Sequence, residues 1–296
     1  LPPTPFRVHV ALIAVSLLFG ANYVFTKLVL QAMPPPAWVL FRILAATSIL
    51  VPLALRFGNG RPPLRLLLGL VLASLLGVVL NQVLFTEGIA RTTPEHSAVI
   101  NACIPTWTLC LAVAFRQERF TMPKVAAVLI ALAGVATLLK VDRILIGGGI
   151  SHTQLVGDLL TWANGVSFAL HLILMRKIGP RLDPWVSTAI MFLAASAMVA
   201  AWCGPGLTAA DWHAALTPPT VWYALYGVLF ATVFTYSLNT WALKHTHSSQ
   251  VALYINVQPL VAAALAPAFG LPAPDWRFFA ALAAVFTGLV LQTRAH

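Results

Sequence analysis

Windows of about 20 apolar residues, the length that crosses a hydrocarbon core at 1.5 Å per residue, follow one another along the whole chain with only short polar joints between them. With 59% hydrophobic and 9% charged residues, a chain of 296 residues has too few charges to clothe a soluble globule. It reads as an all-α membrane protein with ten transmembrane helices, and the lipid bilayer is its first partner. The expected spans are residues 8–31, 36–57, 64–90, 94–115, 121–140, 153–178, 184–203, 219–244, 248–269 and 275–293. The first is read as a membrane helix rather than a cleaved signal, because no small-residue cleavage pattern follows it and nine more spans do. A chain that begins without Met is expected to have been trimmed at its start.

A net charge of +10 would point to nucleic acid in a soluble protein, but here the charges follow the joints between spans, so no nucleic-acid partner is expected. With a cytoplasmic N-terminus, twelve Lys and Arg fall on the inner side: Arg7, Arg56, Arg61, Arg65, Arg116, Arg119, Lys124, Arg176, Lys177, Arg181, Lys244 and Arg294. Five fall outside, namely Lys27, Arg91, Lys140, Arg143 and Arg277, and Arg42 is left inside a span. Both termini are therefore expected in the cytoplasm. Cys103, Cys110 and Cys203 have no ligand or redox spacing and read as packing residues; neither a metal nor a cofactor is expected.

"VINACIPTWTLC" and "LYINVQPLVAAA" interrupt two apolar spans with Asn101 and Pro105, and with Asn256, Gln258 and Pro259; the two prolines lie 154 residues apart. The same offset pairs Thr92 with Thr246, Leu111 with Leu265 and Gly134 with Gly288, while an offset of 149 pairs Phe19 with Phe168, Asn22 with His171 and Lys27 with Arg176. The chain thus divides into residues 1–148 and 149–296, each with five spans. An odd number of spans turns the second copy over, giving two inverted five-helix repeats around a central cavity, an architecture of secondary transporters. Interrupted spans at corresponding positions point to a midplane site, because a helix missing a hydrogen bond exposes carbonyls that only a polar partner or a wet cavity satisfies. The alternative is a structural kink inherited by duplication.

Polar side chains within spans need a partner or an aqueous lumen. Asn22 with Thr26, Asn81 with Phe85, and Asn101 with Pro105 share faces at i, i+4; their mirror images are His171, Asn239 with Thr235, and Pro259 with Tyr254 and Gln258 nearby. Asn164, Ser167 and His171 form one stripe, with Trp162 near its outer end. Such a stripe either lines a cavity or glues helices together at about 0.6 kcal/mol per contact. His171 could also relay protons. Lys27, Arg42 and Glu87 sit about 6–9 Å inside the outer ends of their spans, with Arg91 one turn beyond Glu87. A salt-bridge cluster is the structural reading; a carboxylate-binding Arg42 or an outer gate is the functional one. Met191 and Trp241 replace Arg42 and Glu87 in the second half, an asymmetry that would bias which face closes.

At "FGANYVFTK", Arg42 in "FRILAA", and the block from Phe85 through "RQERFTMPKVAAVLIALAGVATLL", the chain resembles the EamA-type exporters of the drug/metabolite transporter superfamily. The resemblance covers nearly all ten spans. It departs where "GLPAPDW" stands in place of the second Glu-Arg pair, which argues against a symmetric role for Glu118. The resemblance implies a ten-helix inner-membrane efflux carrier, and within the superfamily the aromatic content is similar to that of the aromatic amino-acid exporters.

The expected substrate is a small neutral or zwitterionic metabolite, foremost an aromatic amino acid, held by Phe85, Trp162, Tyr254 and Trp241 and by the Asn and His side chains. A cationic-drug exporter is the second reading, disfavoured because no span carries a carboxylate near its centre. An intramembrane enzyme lacks any motif to support it; a passive channel would be separated from a carrier by its turnover. Proton exchange through His171 or Glu87 and facilitated diffusion fit equally well, and a monomer suffices to enclose the cavity.

Overall fold

The structure is a computed structural model that describes residues 5–60, 62–115, 121–138, 151–204, 207, 217–246, 251 and 254–294. Arg61, Arg116, Arg119, Lys140, Arg143, the Glu118 motif and the expected boundary at 148/149 lie outside the described residues. Helices α1 (Pro5–Val29), α2 (Pro35–Phe57), α3 (Leu64–Arg91) and α4 (Pro94–Ala114) are followed by α5 (Met122–Leu138). Then come α6 (His152–Ile178), α7 (Pro184–Cys203), α8 (Pro218–His245), α9 (Ile255–Phe269) and α10 (Trp276–Arg294). The described ends lie within three residues of the expected spans except at α9, which begins at Ile255 where the expected span begins at 248. Among the described residues seven helices, α1–α4 and α6–α8, are long and apolar enough to cross a membrane; α5 has 17 residues, and α9 and the apolar part of α10 are shorter still.

Local chemistry sets the helix starts. Proline, which has no N–H to leave unpaired, opens the first turn of α2, α4, α7 and α8. The Thr93, Ser151 and Asp183 side chains accept from the exposed amides of α4, α6 and α7.

Each half interrupts its helices at the same places. In α4 the helix breaks at Ala102–Cys103 and restarts at Ile104–Pro105; in α9 a tight 3-10 turn at Ile255–Val257 precedes Gln258–Pro259. Pro105 has no N–H for the Asn101 carbonyl, and Pro259 has none for Ile255. The sequence reading did not anticipate a second pair of irregularities: α3 contains a π-helical turn at Leu75–Leu80, and α8 contains one at Leu229–Phe234, 154 residues on. A π turn widens the helix and takes backbone groups out of the α-helical pattern, and it occurs most often near functional sites.

The packing has the same correspondence. α2 packs on α7 and α5 on α10; α3 and α4 both pack on α6, as α8 and α9 both pack on α1. Exchanging the halves leaves this pattern of pairs unchanged.

In the bilayer a carbonyl outside the helix ladder needs another donor. At the α3 π turn the donors come from the second half. His171 Nδ1–H donates to the Ala73 carbonyl at 2.9 Å, which fixes its tautomer, and Ser167 donates to Leu76 at 2.8 Å. The Tyr236 hydroxyl lies 3.0 Å from its alternative acceptors, the Gly77 carbonyl and Asn81 Oδ1. Gly77 makes the approach of His171 possible, since a Cβ there would lie 2.0 Å from His171 Nδ1. Gly77→Ala should therefore destabilise the protein by about 1–3 kcal/mol through overpacking. Thermal unfolding in detergent checks this, and His171→Ala should cost less in the Gly77→Ala background than alone.

Candidate functional site

Between the halves, near the midpoints of α1, α4 and α6, lies a cavity of about 70 Å³. Eight of the ten side chains expected to bind substrate line it: Asn22, Asn81, Phe85, Asn101, Asn164, Asn239, Tyr254 and Gln258. The broken helices deliver Asn101 and Gln258, the residues preceding or beginning the Pro105 and Pro259 segments, and α3 delivers Asn81 just past its π turn.

The lining is internally wired. Asn101 Nδ2 donates to the Tyr23 hydroxyl at 3.0 Å, and that hydroxyl donates to Gln258 Oε1 at 3.2 Å, joining α4, α1 and α9. Thr26 donates to Asn22 Oδ1 at 3.2 Å, and Asn164 Nδ2 donates to the Asn81 carbonyl at 2.7 Å. Gln82 reaches the Tyr236 hydroxyl at 3.3 Å; these two residues are 154 apart and meet across the halves. The buried Asn101 Oδ1 and Asn239 Oδ1 have no hydrogen-bond partner, so the wall keeps unspent acceptor capacity. Phe19, Tyr23, Phe85 and Phe168 add aromatic surface, with the Tyr23 and Phe85 rings edge to face at 5.2 Å.

Two of the ten stand elsewhere, as does Trp241, the further ring expected to stack on the substrate, which lies against His245 and off the cavity wall. His171 is buried against the α3 π turn and stacks on Phe168; its ring is committed to the Ala73 carbonyl, so it is a clamp on backbone rather than part of the wall. Ser167 is likewise committed, so of the α6 stripe only Asn164 faces the cavity. Trp162 is 42% exposed and packs edge to face on Trp107, away from the cavity.

The expected cluster of Lys27, Arg42 and Glu87 is not assembled. Lys27 Nζ donates to the carbonyls of Ile89, Ala90 and Thr92 at 2.7–3.1 Å, using its three protons on the negative end of α3. Glu87 pairs with Arg91 at the partly exposed surface. Arg42 turns instead into the cavity wall, where Nε donates to Thr232 Oγ1 at 2.6 Å and Nη2 to the Ala231 carbonyl at 3.0 Å, both in the α8 π turn. The reason is competition: helix-end and π-turn carbonyls inside the bilayer are stronger claims on these cations than a carboxylate already paired near water.

A polar tie at the end where α1 and α3 finish and α4 and α6 begin was not expected. Thr92 donates to Asp158 Oδ1 at 2.5 Å, and His96 Nδ1 lies 3.3 Å from Asp158 Oδ2. Glu95, 3% exposed, buries its carboxyl in the first turn of α4 with Oε1 unpartnered. Gly88 and Gly157 let α3 and α6 approach here: a Cβ on Gly157 would lie 2.8 Å from the Gly88 carbonyl. The expected spans put Glu95 and His96 at the start of 94–115 without a role for either, and Asp158 near the outer end of 153–178. Among the described residues no group of three or more His, Cys, Asp or Glu could hold a metal ion.

Membrane-length helices enclosing a polar cavity between two corresponding halves define a multi-pass membrane transporter. The family model described as "EamA-like transporter family" matches twice, over residues 7–140 and 155–294, and the chain belongs to that family. Relatives include an uncharacterized transporter of Archaeoglobus fulgidus, 25% identical, with 97% of each chain covered. The uncharacterized inner membrane transporter YedA of Escherichia coli is 26% identical over 88% of this chain and 82% of its own. A WAT1-related protein of Arabidopsis thaliana is 28% identical over 58% of this chain, which spans only 56% of that plant protein. A solved crystal structure shares the fold with a TM-score of 0.64 over 96% of this chain and 99% of its own, at 18% identity.

The tie makes a testable demand on closure at its end of the molecule. In a protein freed of Cys103, Cys110 and Cys203, a cysteine at Phe85 should react with a hydrophilic maleimide added from the α3–α4 side several-fold faster when Asp158 is Ala. An unchanged labelling rate would show that the tie does not hold this end shut.

Proposed function

We propose that the protein is a secondary carrier that exports small neutral or zwitterionic metabolites, foremost aromatic and other neutral amino acids, by alternating access. The observation that carries this reading is the cavity wall: amides, phenols and aromatic rings from both halves, with Arg42 the only charged side chain and no acidic side chain among the described lining residues. Amides and hydroxyls recognise ammonium and carboxylate ends, and rings stack on an aromatic side chain. A carrier of cations would gain from a buried carboxylate in the wall. The multidrug reading is therefore second, and the family favours transport over catalysis.

The reading extends to topology: ten spans, two inverted five-helix repeats of residues 1–148 and 149–296, a bacterial inner-membrane location with both termini cytoplasmic, and a functional monomer. The corresponding breaks, π turns and helix pairs support the inverted repeat. A cavity of about 70 Å³, less than half of the roughly 150 Å³ that holds a benzene, must widen to accept an aromatic amino acid. Opening alternately at either end would do this, with Lys27, Asp158 and their partners closing one of them.

Counterflow in proteoliposomes tests the proposal with labelled phenylalanine, threonine and a quaternary ammonium dye. Saturable phenylalanine exchange is expected. Asn101→Ala should lower it about tenfold while leaving the protein monodisperse, whereas Trp162→Ala should leave it unchanged. Accumulation of the dye alone would transfer the function to cations, and a flux orders of magnitude above carrier turnover would make the protein a channel.

A further inference from the structure

Arg42 in α2 is 1% exposed and lines the cavity. Nε and Nη2 are used on the α8 π turn, but Nη1 is buried without a hydrogen-bond partner. Among the described residues no carboxylate stands within ion-pair distance of it; Trp38, whose ring centre is 5.7 Å from the guanidinium carbon, supplies only a π face. A buried cation with one open donor fork and no counter-charge is an expensive arrangement, and a membrane interior makes it more so.

Holding the π turn does not require a cation. The corresponding turn in α3 is held by Ser167, Tyr236 and the imidazole of His171, and the position corresponding to Arg42 there is Met191. Met191 contributes only its backbone carbonyl, accepting from Ser74 at 2.5 Å. The fold thus meets the same backbone need twice and places a positive charge at only one of them, beside the cavity. The excess charge and the open Nη1 are what a structural role leaves over.

We infer that Arg42 is the anion anchor of the cavity: Nη1 receives the carboxylate of the transported molecule, so the substrate class is acids and zwitterions with a free carboxylate. Guanidinium is suited to this because its planar fork holds a carboxylate and a second acceptor at once. The inference rests on the transport reading above and sharpens it, since a cation without a carboxylate would leave the buried guanidinium without a counter-charge. It also places the bound carboxylate at the contact between α2 and α8, so occupancy is felt by both halves.

The test uses purified protein in detergent and four ligands of one shape: phenylalanine, phenylalaninamide, phenethylamine and 3-phenylpropionate, each titrated for thermal stabilisation. Phenylalanine and 3-phenylpropionate should bind about tenfold or more tighter than the two ligands lacking a carboxylate. Arg42→Gln should bring that ratio to about one, and Arg42→Lys should retain part of it. If Arg42→Gln fails to fold, the wild-type ratio and Arg42→Lys still decide. A wild-type ratio near one, or a ratio that survives Arg42→Gln, would overturn the inference. The two readings fail separately. Phenylalanine counterflow without discrimination against the amide would sink the anchor and keep the carrier. Arg42-dependent stabilisation by acetate, lactate or benzoate, without any amino-acid exchange, would keep the anchor and change the substrate.

Discussion

A backbone carbonyl that leaves the helix ladder inside a bilayer must find another donor, and much of this structure follows from where those donors come from. The π turns of α3 and α8 each create such a need, and in both cases side chains from across the halves meet it: Ser167, His171 and Tyr236 for the first, Arg42 for the second. Hydrocarbon offers little hydrophobic drive to bring two greasy helices together, so these polar contacts and the close approach of small residues are what join the halves. The same irregularities place Asn81, Asn101 and Gln258 in the wall of the cavity. Adhesion and recognition thus draw on one set of backbone defects.

The helical layout was legible because apolar length is a direct signal: a span of 20 residues has few other fates. The correspondence of Pro105 with Pro259 located the site for a chemical reason, as proline removes an N–H and the loss is visible in the letters. The π turns carry no such letter. "LLGVVL" and "LFATVF" share no residue that lacks a donor, and only the meeting of Gly77 with a histidine from another helix marks the first of them.

The polar residues were found more easily than their duties. Spacing put Asn164, Ser167 and His171 on one face correctly, but a stripe does not say which neighbour it meets, and α3 carbonyls took two of the three. Equal depth was likewise a poor guide to pairing for Lys27, Arg42 and Glu87, since depth fixes one coordinate and a salt bridge needs three. Glu95 and His96 drew no reading because their position in a first turn does not say which helix they will face, and the close approach of α3 and α6 at Gly88 and Gly157 is not visible in the letters.

The placement of the two π turns bears on how such a molecule could move. A π turn is one of the few places where a helix can bend sharply without proline. Clasped as they are from the opposite half, the turns of α3 and α8 would serve as paired fulcrums. The outer arms of both helices would then swing while the clasps stay fixed, and rocking at one face would be geared to the other through the same few bonds.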